Sequence, residues 1–203
     1  MAPSNAADRR IDSNLFVTVS GPPGCGATTL SEALADAMDC GCVSGGDIFR
    51  EIAADRDMSL SQLVAKAGET DEIDRALDRR LQTIAEKWGA ANRAFVLESR
   101  LAGWLAGNRA DLRIRLDAPE EVRLRRTEDR EEWAAEMQVR EVIEKQRYES
   151  YYGIDLDDQS FYDLTINTGR WTPESTVEVV LTAIEQYEPE LDEGAFPTAD
   201  LDV

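Results

Sequence analysis

Gly21-Pro22-Pro23-Gly24-Cys25-Gly26-Ala27-Thr28-Thr29 is the stretch of this chain best suited to hold a run of phosphates. Its residues follow the spacing G-x-x-x-x-G-K-[ST], in which backbone N–H groups converge on phosphate oxygens and the next helix adds the positive end of its dipole. The Thr28 hydroxyl is then placed to ligate the Mg²⁺ that accompanies such phosphates. The departure is Ala27, which stands where the pattern has lysine. An ammonium there offsets charge as the terminal phosphoryl group moves, so its loss weakens transition-state stabilisation more than binding. A charged donor of this type contributes about 1.5–3 kcal/mol, roughly one or two decades in rate.

Guanidinium groups are the available substitutes, because the only lysines are Lys66, Lys87 and Lys145. Arg123, Arg125, Arg126 and Arg130 form a dense group, and Arg140, Glu144 and Arg147 fall on one helical face at i, i+4 and i+7. Arg126, Arg130, Arg140 and Arg147 are the candidate catalytic cations, carried over the phosphates by a closing arm. Glu98 ends a predicted strand facing the loop, where a carboxylate suits orienting water on Mg²⁺. Histidine is absent. An acceptor that is itself a phosphate is ionised at neutral pH and needs no general base, so alignment and charge neutralisation suffice. A hydroxyl acceptor would need a carboxylate base, for which Asp47 is the candidate. A small-metabolite hydroxyl kinase therefore stays open, as does a nucleotide-binding protein without turnover.

The elements that must position these groups alternate as strands and helices. Leu15 to Ser20 reads as a strand, residues 21–26 as a tight loop, and Thr28 to Met38 as an amphipathic helix. Cys42 to Ser44 is a second short strand, followed by a helix from Ile48 to Ala54 with Asp47 as its N-cap. Ser59 caps a helix over Leu60 to Ala67, and Ile73, Leu77, Leu81, Ile84 and Trp88 mark a long surface helix over 71–88. Ala94 to Leu97, Leu112 to Leu116 and Leu164 to Asn167 complete five parallel strands, and Thr172 with Pro173 opens a closing helix to Tyr187. Glu120 to Arg147 has few apolar positions and reads as a projecting helical arm. Together these predict one three-layer α/β domain with a P-loop NTPase fold and a five-stranded parallel sheet over residues 15–187. An acceptor-binding insert is expected at 47–92 and a lid at 120–150, with disordered polar ends at 1–14 and 188–203.

The 41 acidic against 22 basic residues give a net charge of -19. Such a field repels nucleic acid and anionic membranes. With 42% hydrophobic residues, it fits a folded protein adapted to high salt, where counterions screen self-repulsion. No stretch approaches the ~20 apolar residues of a membrane span, and residues 1–14 lack a signal-peptide core, so a cytoplasmic monomer is expected. Cys25, Cys40 and Cys42 are an odd set for a disulfide framework and read as small buried or loop thiols.

Four segments carry a resemblance. Gly21 to Thr29, Ser44-Gly45-Gly46-Asp47-Ile48-Phe49-Arg50, Leu97-Glu98-Ser99-Arg100-Leu101-Ala102-Gly103-Trp104, and Tyr151-Tyr152-Gly153-Ile154-Asp155 with Tyr162-Asp163-Leu164 and Asn167-Thr168 resemble, in order and spacing, the archaeal-type cytidylate kinases. The resemblance covers about residues 15 to 187 and departs at Ala27 and, more mildly, at Ser99. It implies transfer of the γ-phosphoryl group of ATP, with Mg²⁺, to CMP or dCMP. It also implies that Arg50 and Arg100 grip the acceptor phosphate, a task suited to planar guanidinium forks. Asp74 and Asp78 share a helical face and are the expected readers of the cytosine amine, which a carboxylate accepts from.

Overall fold

Every residue of β1 (Phe16–Ser20) is buried, because it is the middle strand of the sheet and is covered on both faces. The computed structural model describes residues 9–126 and 145–191. Around β1 lie β2 (Gly41–Ser44), β3 (Phe95–Glu98), β4 (Leu112–Asp117) and β5 (Leu164–Asn167), in the order β2-β3-β1-β4-β5 and all parallel. Strands buried on both faces need near-continuous apolar runs, which is why Phe95-Val96-Leu97 reads without alternation. The register sets Val19 beside Glu98 and Ser20 beside Arg115, so the residues that follow β1, β3 and β4 emerge together at one edge.

Two helical layers cover the faces. Leu30 and Leu34 of α1 (Ala27–Ala37) and Val180 and Leu181 of α8 (Pro173–Glu185) pack with Val17, Val19, Val96, Ile114 and Leu116. Opposite them, α2 (Gly45–Asp55), α3 (Leu60–Glu69), α4 (Glu72–Gly89) and α5 (Ala102–Ala106) bury Ile52, Leu63, Ile73, Leu81 and Leu105 against Phe16, Phe95 and Leu97. Each such fully buried aliphatic contributes about 1.5–3 kcal/mol. Trp88 ends the predicted apolar stripe of α4 stacked on Phe95, with ring centroids 4.2 Å apart.

Three local expectations are corrected. Asp47 is not the cap of α2: the helix starts at Gly45, and the Ser44 side chain accepts from the Asp47 N–H at 3.0 Å. Gly45 can enter the first turn because it lies against Ser99, where a Cβ would come within 3.0 Å of the Ser99 Cβ. The start of the arm does not project. In α6 (Glu120–Arg125) the side chain of Arg123 is buried against the loop after β1. Residues 9–14, expected in the disordered end, run along α1 and α8: Arg9 pairs with Glu178 and Glu185, and Ile11 N–H donates to the Ala37 carbonyl at 2.9 Å. Ser59 does cap α3, in a reciprocal box with Gln62, and Thr172 caps α8. Residues 145–152 form the helical segment called α7. Much of the predicted lid, and the ends at 1–8 and 192–203, lie outside the described residues.

β5 is held to β4 by more than backbone. Asp163 accepts from the Arg113 N–H at 2.7 Å, from its Nε at 3.1 Å and from its Nη2 at 3.2 Å, while Arg113 is 3% exposed. Breaking a buried pair leaves an uncompensated charge, so Asp163→Ala is expected to cost about 3–5 kcal/mol in denaturant unfolding at molar salt. A loss below about 1 kcal/mol, the range of an exposed pair, would refute this account of how β5 is docked.

Candidate active site

The loop between β1 and α1 is shaped by two left-handed glycines, Gly24 at φ 79° and Gly26 at φ 95°. A side chain at Gly24 would also bring its Cβ to 2.8 Å from the Arg123 carbonyl oxygen. The loop carbonyls are pinned from outside. Arg123 Nη1 donates to the Pro23 carbonyl at 3.2 Å, Arg126 Nη1 to that of Gly24 at 3.1 Å, and Thr168 Oγ1 to that of Cys25 at 2.8 Å. A planar trans peptide sets its N–H opposite its carbonyl, so these bonds fix the orientation of the Gly24 and Gly26 amides, while the Cys25 N–H donates to the Pro22 carbonyl at 3.2 Å. Arg126 also donates to Thr168 Oγ1 at 2.9 Å and to the Thr168 carbonyl at 2.8 Å. Arg126, expected as a catalytic cation, thus has its guanidinium engaged by three acceptors that brace the loop.

Thr28 and Thr29 are exposed on the first turn of α1, and Ala27 is buried in the core beneath the loop. Thr28 Oγ1 donates to Glu98 Oε2 at 3.5 Å, bringing together the two predicted Mg²⁺-binding residues. Among the described residues no three His, Cys, Asp or Glu side chains form a metal cage. A hydroxyl with one carboxylate suits Mg²⁺, which keeps most of its waters and takes substrate phosphates as ligands. Burial pushes the Glu98 carboxyl up to about 7, against the Thr28 hydrogen bond and the nearby Arg100, which lower it. Asp47 is held below the usual carboxylate range by its hydrogen bonds to Ser44 and to Arg50, the latter at 2.5 Å. Arg50 is thus exposed on the first turns of α2 and paired with Asp47, while Arg100 lies beyond β3 near Glu98.

The remaining predicted residues meet at the junction of α4 and α7. Arg147 Nη1 lies 2.5 Å from Asp74 Oδ2, and Tyr152 donates to Asp78 Oδ2 at 3.0 Å. The Arg75 guanidinium sits 5.0 Å from the Tyr151 ring centroid. Asp78 is 1% exposed, so it belongs to this buried contact rather than to a solvated helix face. Arg130 and Arg140 lie outside the described residues. A cavity of about 230 Å³ opens beside the loop, lined by Gly21, Pro22, Arg100, Arg115, Lys145 and Asp157 among others. Arg115, Lys145 and Thr168 were not singled out from sequence as chemistry-bearing. An isolated Arg in a strand carries no signal, and Thr168 acts through a carbonyl 143 residues away in the chain.

A crossover parallel sheet, a glycine loop at its carboxyl edge and a hydroxyl–carboxylate pair beside it define a P-loop phosphotransferase. The model of the AAA domain family matches residues 17–149. Curated cytidylate kinases from Halobacterium salinarum and Haloquadratum walsbyi are 48% and 47% identical to the chain, covering 90% and 92% of it and 96% and 98% of their own lengths. The cytidylate kinase of Pyrococcus horikoshii is 44% identical over 89% of the chain and 94% of its own length. A shikimate kinase structure from Bacteroides thetaiotaomicron superposes with TM-score 0.59 at 17% identity, over 85% of this chain and 99% of its own, and shares the fold. The chain belongs to the cytidylate kinase family. Its acidic, lysine-poor composition fits the haloarchaeal origin of the first two relatives.

The raised Glu98 carboxyl has a measurable signature. The unfolded chain releases this proton near 4.5 and the folded one near 7, so its contribution to stability is complete below about 4.5 and lost as pH rises through about 7. Glu98→Gln is expected to flatten the fall in unfolding free energy across that window. An unchanged slope would show that Glu98 is not held in a desolvated site.

Proposed function

We propose that this chain transfers the γ-phosphoryl group of ATP to CMP, with dCMP as a second acceptor. Identity of 44–48% to cytidylate kinases along nearly the whole chain carries the reading, and a glycine loop with pinned carbonyls that shares a cavity with Arg100 supports it. In this reading residues 21–29 cradle the ATP phosphates, and Thr28 and Glu98 would hold Mg²⁺, which would supply charge neutralisation for the phosphates. Arg50 and Arg100 take the acceptor phosphate. An oxygen of that phosphate bonds to the γ-phosphorus while the bond to the β–γ bridging oxygen breaks, giving CDP and ADP with no proton transfer required. Residues 47–92 act as the acceptor insert and 120–150 as the lid. Arg147 and Tyr152 hold Asp74 and Asp78 at the junction where these carboxylates meet the cytosine amine. Arg130 and Arg140 are assigned to the lid. The protein acts as a monomer on small nucleotides, and its charge of -19 disfavours nucleic acid.

Ala27 favours one other reading, a nucleotide binder without turnover. ADP release coupled to NADH oxidation, with CMP and Mg²⁺ in molar salt, separates the two. CMP-dependent release is expected, at a rate that Ala27→Lys raises by no more than about tenfold, less than the full contribution of an unreplaced charged donor. Nucleotide binding without release, restored by Ala27→Lys, would establish the non-catalytic binder instead. Loss of the CMP over AMP preference in Asp74→Asn or Asp78→Asn is expected, and an unchanged preference would place base reading elsewhere.

A further inference from the structure

The chain is strongly acidic, yet the cavity beside the phosphate loop is lined by four cations, Arg100, Arg115, Arg123 and Lys145, against two carboxylates, Asp117 and Asp157. Lys145 is paired with Asp157. Elsewhere in the fold arginines find carboxylates readily: Arg50, Arg56, Arg75, Arg80, Arg113 and Arg147 all do. Arg115 differs. Among the described residues it forms no ion pair: its contacts are the Leu156 carbonyl at 2.8 Å from Nη1 and the Tyr162 ring with its centroid 5.7 Å from the guanidinium carbon, although Asp117 and Asp157 line the same cavity. A half-buried guanidinium with no carboxylate paired to it, in a protein with 41 carboxylates, is available to an anion that enters the cavity.

Its place in the fold says which anion. Arg115 is the register partner of Ser20, the last residue before the phosphate loop, so its backbone lies one strand spacing, about 4.8 Å, from the loop's origin. The cavity it lines touches Gly21 and Pro22 on one side and Arg100 on the other. Resting on the proposed phosphoryl transfer, that is the space between donor and acceptor phosphates. Of the other cations there, Arg123 is spent on the Ala118 and Pro23 carbonyls and Lys145 is tied to Asp157.

We propose that Arg115 binds the phosphoryl group in transfer and supplies, from β4, the positive charge that Ala27 does not supply from the loop. It contacts the γ-phosphoryl oxygens while the bond to the bridging oxygen breaks and the bond from the acceptor phosphate forms; Arg115 itself neither gains nor loses a proton. A guanidinium is suited to this because its planar fork matches phosphate oxygens and stays charged throughout.

A double substitution tests it. Arg115→Gln keeps a donor for the Leu156 carbonyl and removes the charge, so it is expected to melt with the parent and to lower kcat at least about thirtyfold, within the range of one charged donor. Ala27→Lys in the Arg115→Gln background is expected to recover most of that loss, whereas in the parent it gains less than about tenfold, because two cations serving one charge are not additive. Equal gains in both backgrounds, or a kcat in Arg115→Gln within about twofold of the parent, would overturn the assignment and leave Arg115 as an anchor for Leu156. Calorimetry with inorganic pyrophosphate in the same salt reads the site without turnover. Arg115→Gln should weaken binding at least about tenfold and Arg115→Lys should largely keep it. Unchanged pyrophosphate affinity in Arg115→Gln overturns the proposal even if the parent is a silent nucleotide binder, whereas a parent that binds pyrophosphate through Arg115 but shows no CMP-dependent release fails only the kinase reading.

Discussion

The outward clamp on the carbonyls of the β1–α1 loop is the contact on which the site depends. A loop of this kind binds phosphate only if its amides converge, and amides repel one another electrostatically when aimed at one point. Thr168, Arg123 and Arg126 hold the opposite ends of those peptides and so fix their orientation before any ligand arrives. The clamp draws on α6 and on the segment after β5, so the middle and last thirds of the chain must both fold before the loop in the first third is set. Arg123, buried, and Arg126, exposed, both spend donors on the loop carbonyls, which leaves fewer of them for a phosphate.

Charge is distributed by purpose. The exterior carries an excess of carboxylates that keeps the protein solvated in salt, while the cavity at the sheet edge concentrates guanidinium and ammonium groups. Burial at the end of β3 likewise raises the Glu98 carboxyl, against the Thr28 hydroxyl and Arg100, which favour its ionisation.

The α4–α7 junction links the parts of the structure assigned to acceptor and lid. Asp74 with Arg147 and Asp78 with Tyr152 form two polar contacts on one side of α4, flanked by Arg75 over Tyr151. Polar pairs separable by water exchange are suited to an interface that opens and closes, whereas the α2–α4 layer beneath them is closed by aliphatic packing.

Periodicity in the sequence alone determined the sheet, the order of its helices, the long stripe of α4 and the caps at Ser59 and Thr172, because those depend on neighbours three or four residues away or on alternation along one strand. The loop was legible for the same reason: its glycines, prolines and threonines act within one turn of chain. Tertiary structure decided the rest. The α2 cap moved from Asp47 to Ser44 because the packing of Gly45 on Ser99, 54 positions later, admits two glycines to the first turn. Likewise, whether Arg123 and Arg126 brace or catalyse, whether Asp78 faces solvent or Tyr152, and whether Arg115 has a counter-charge depend on distances between segments far apart in sequence. Spacing along a chain does not encode those distances until the sheet brings the segments to one edge.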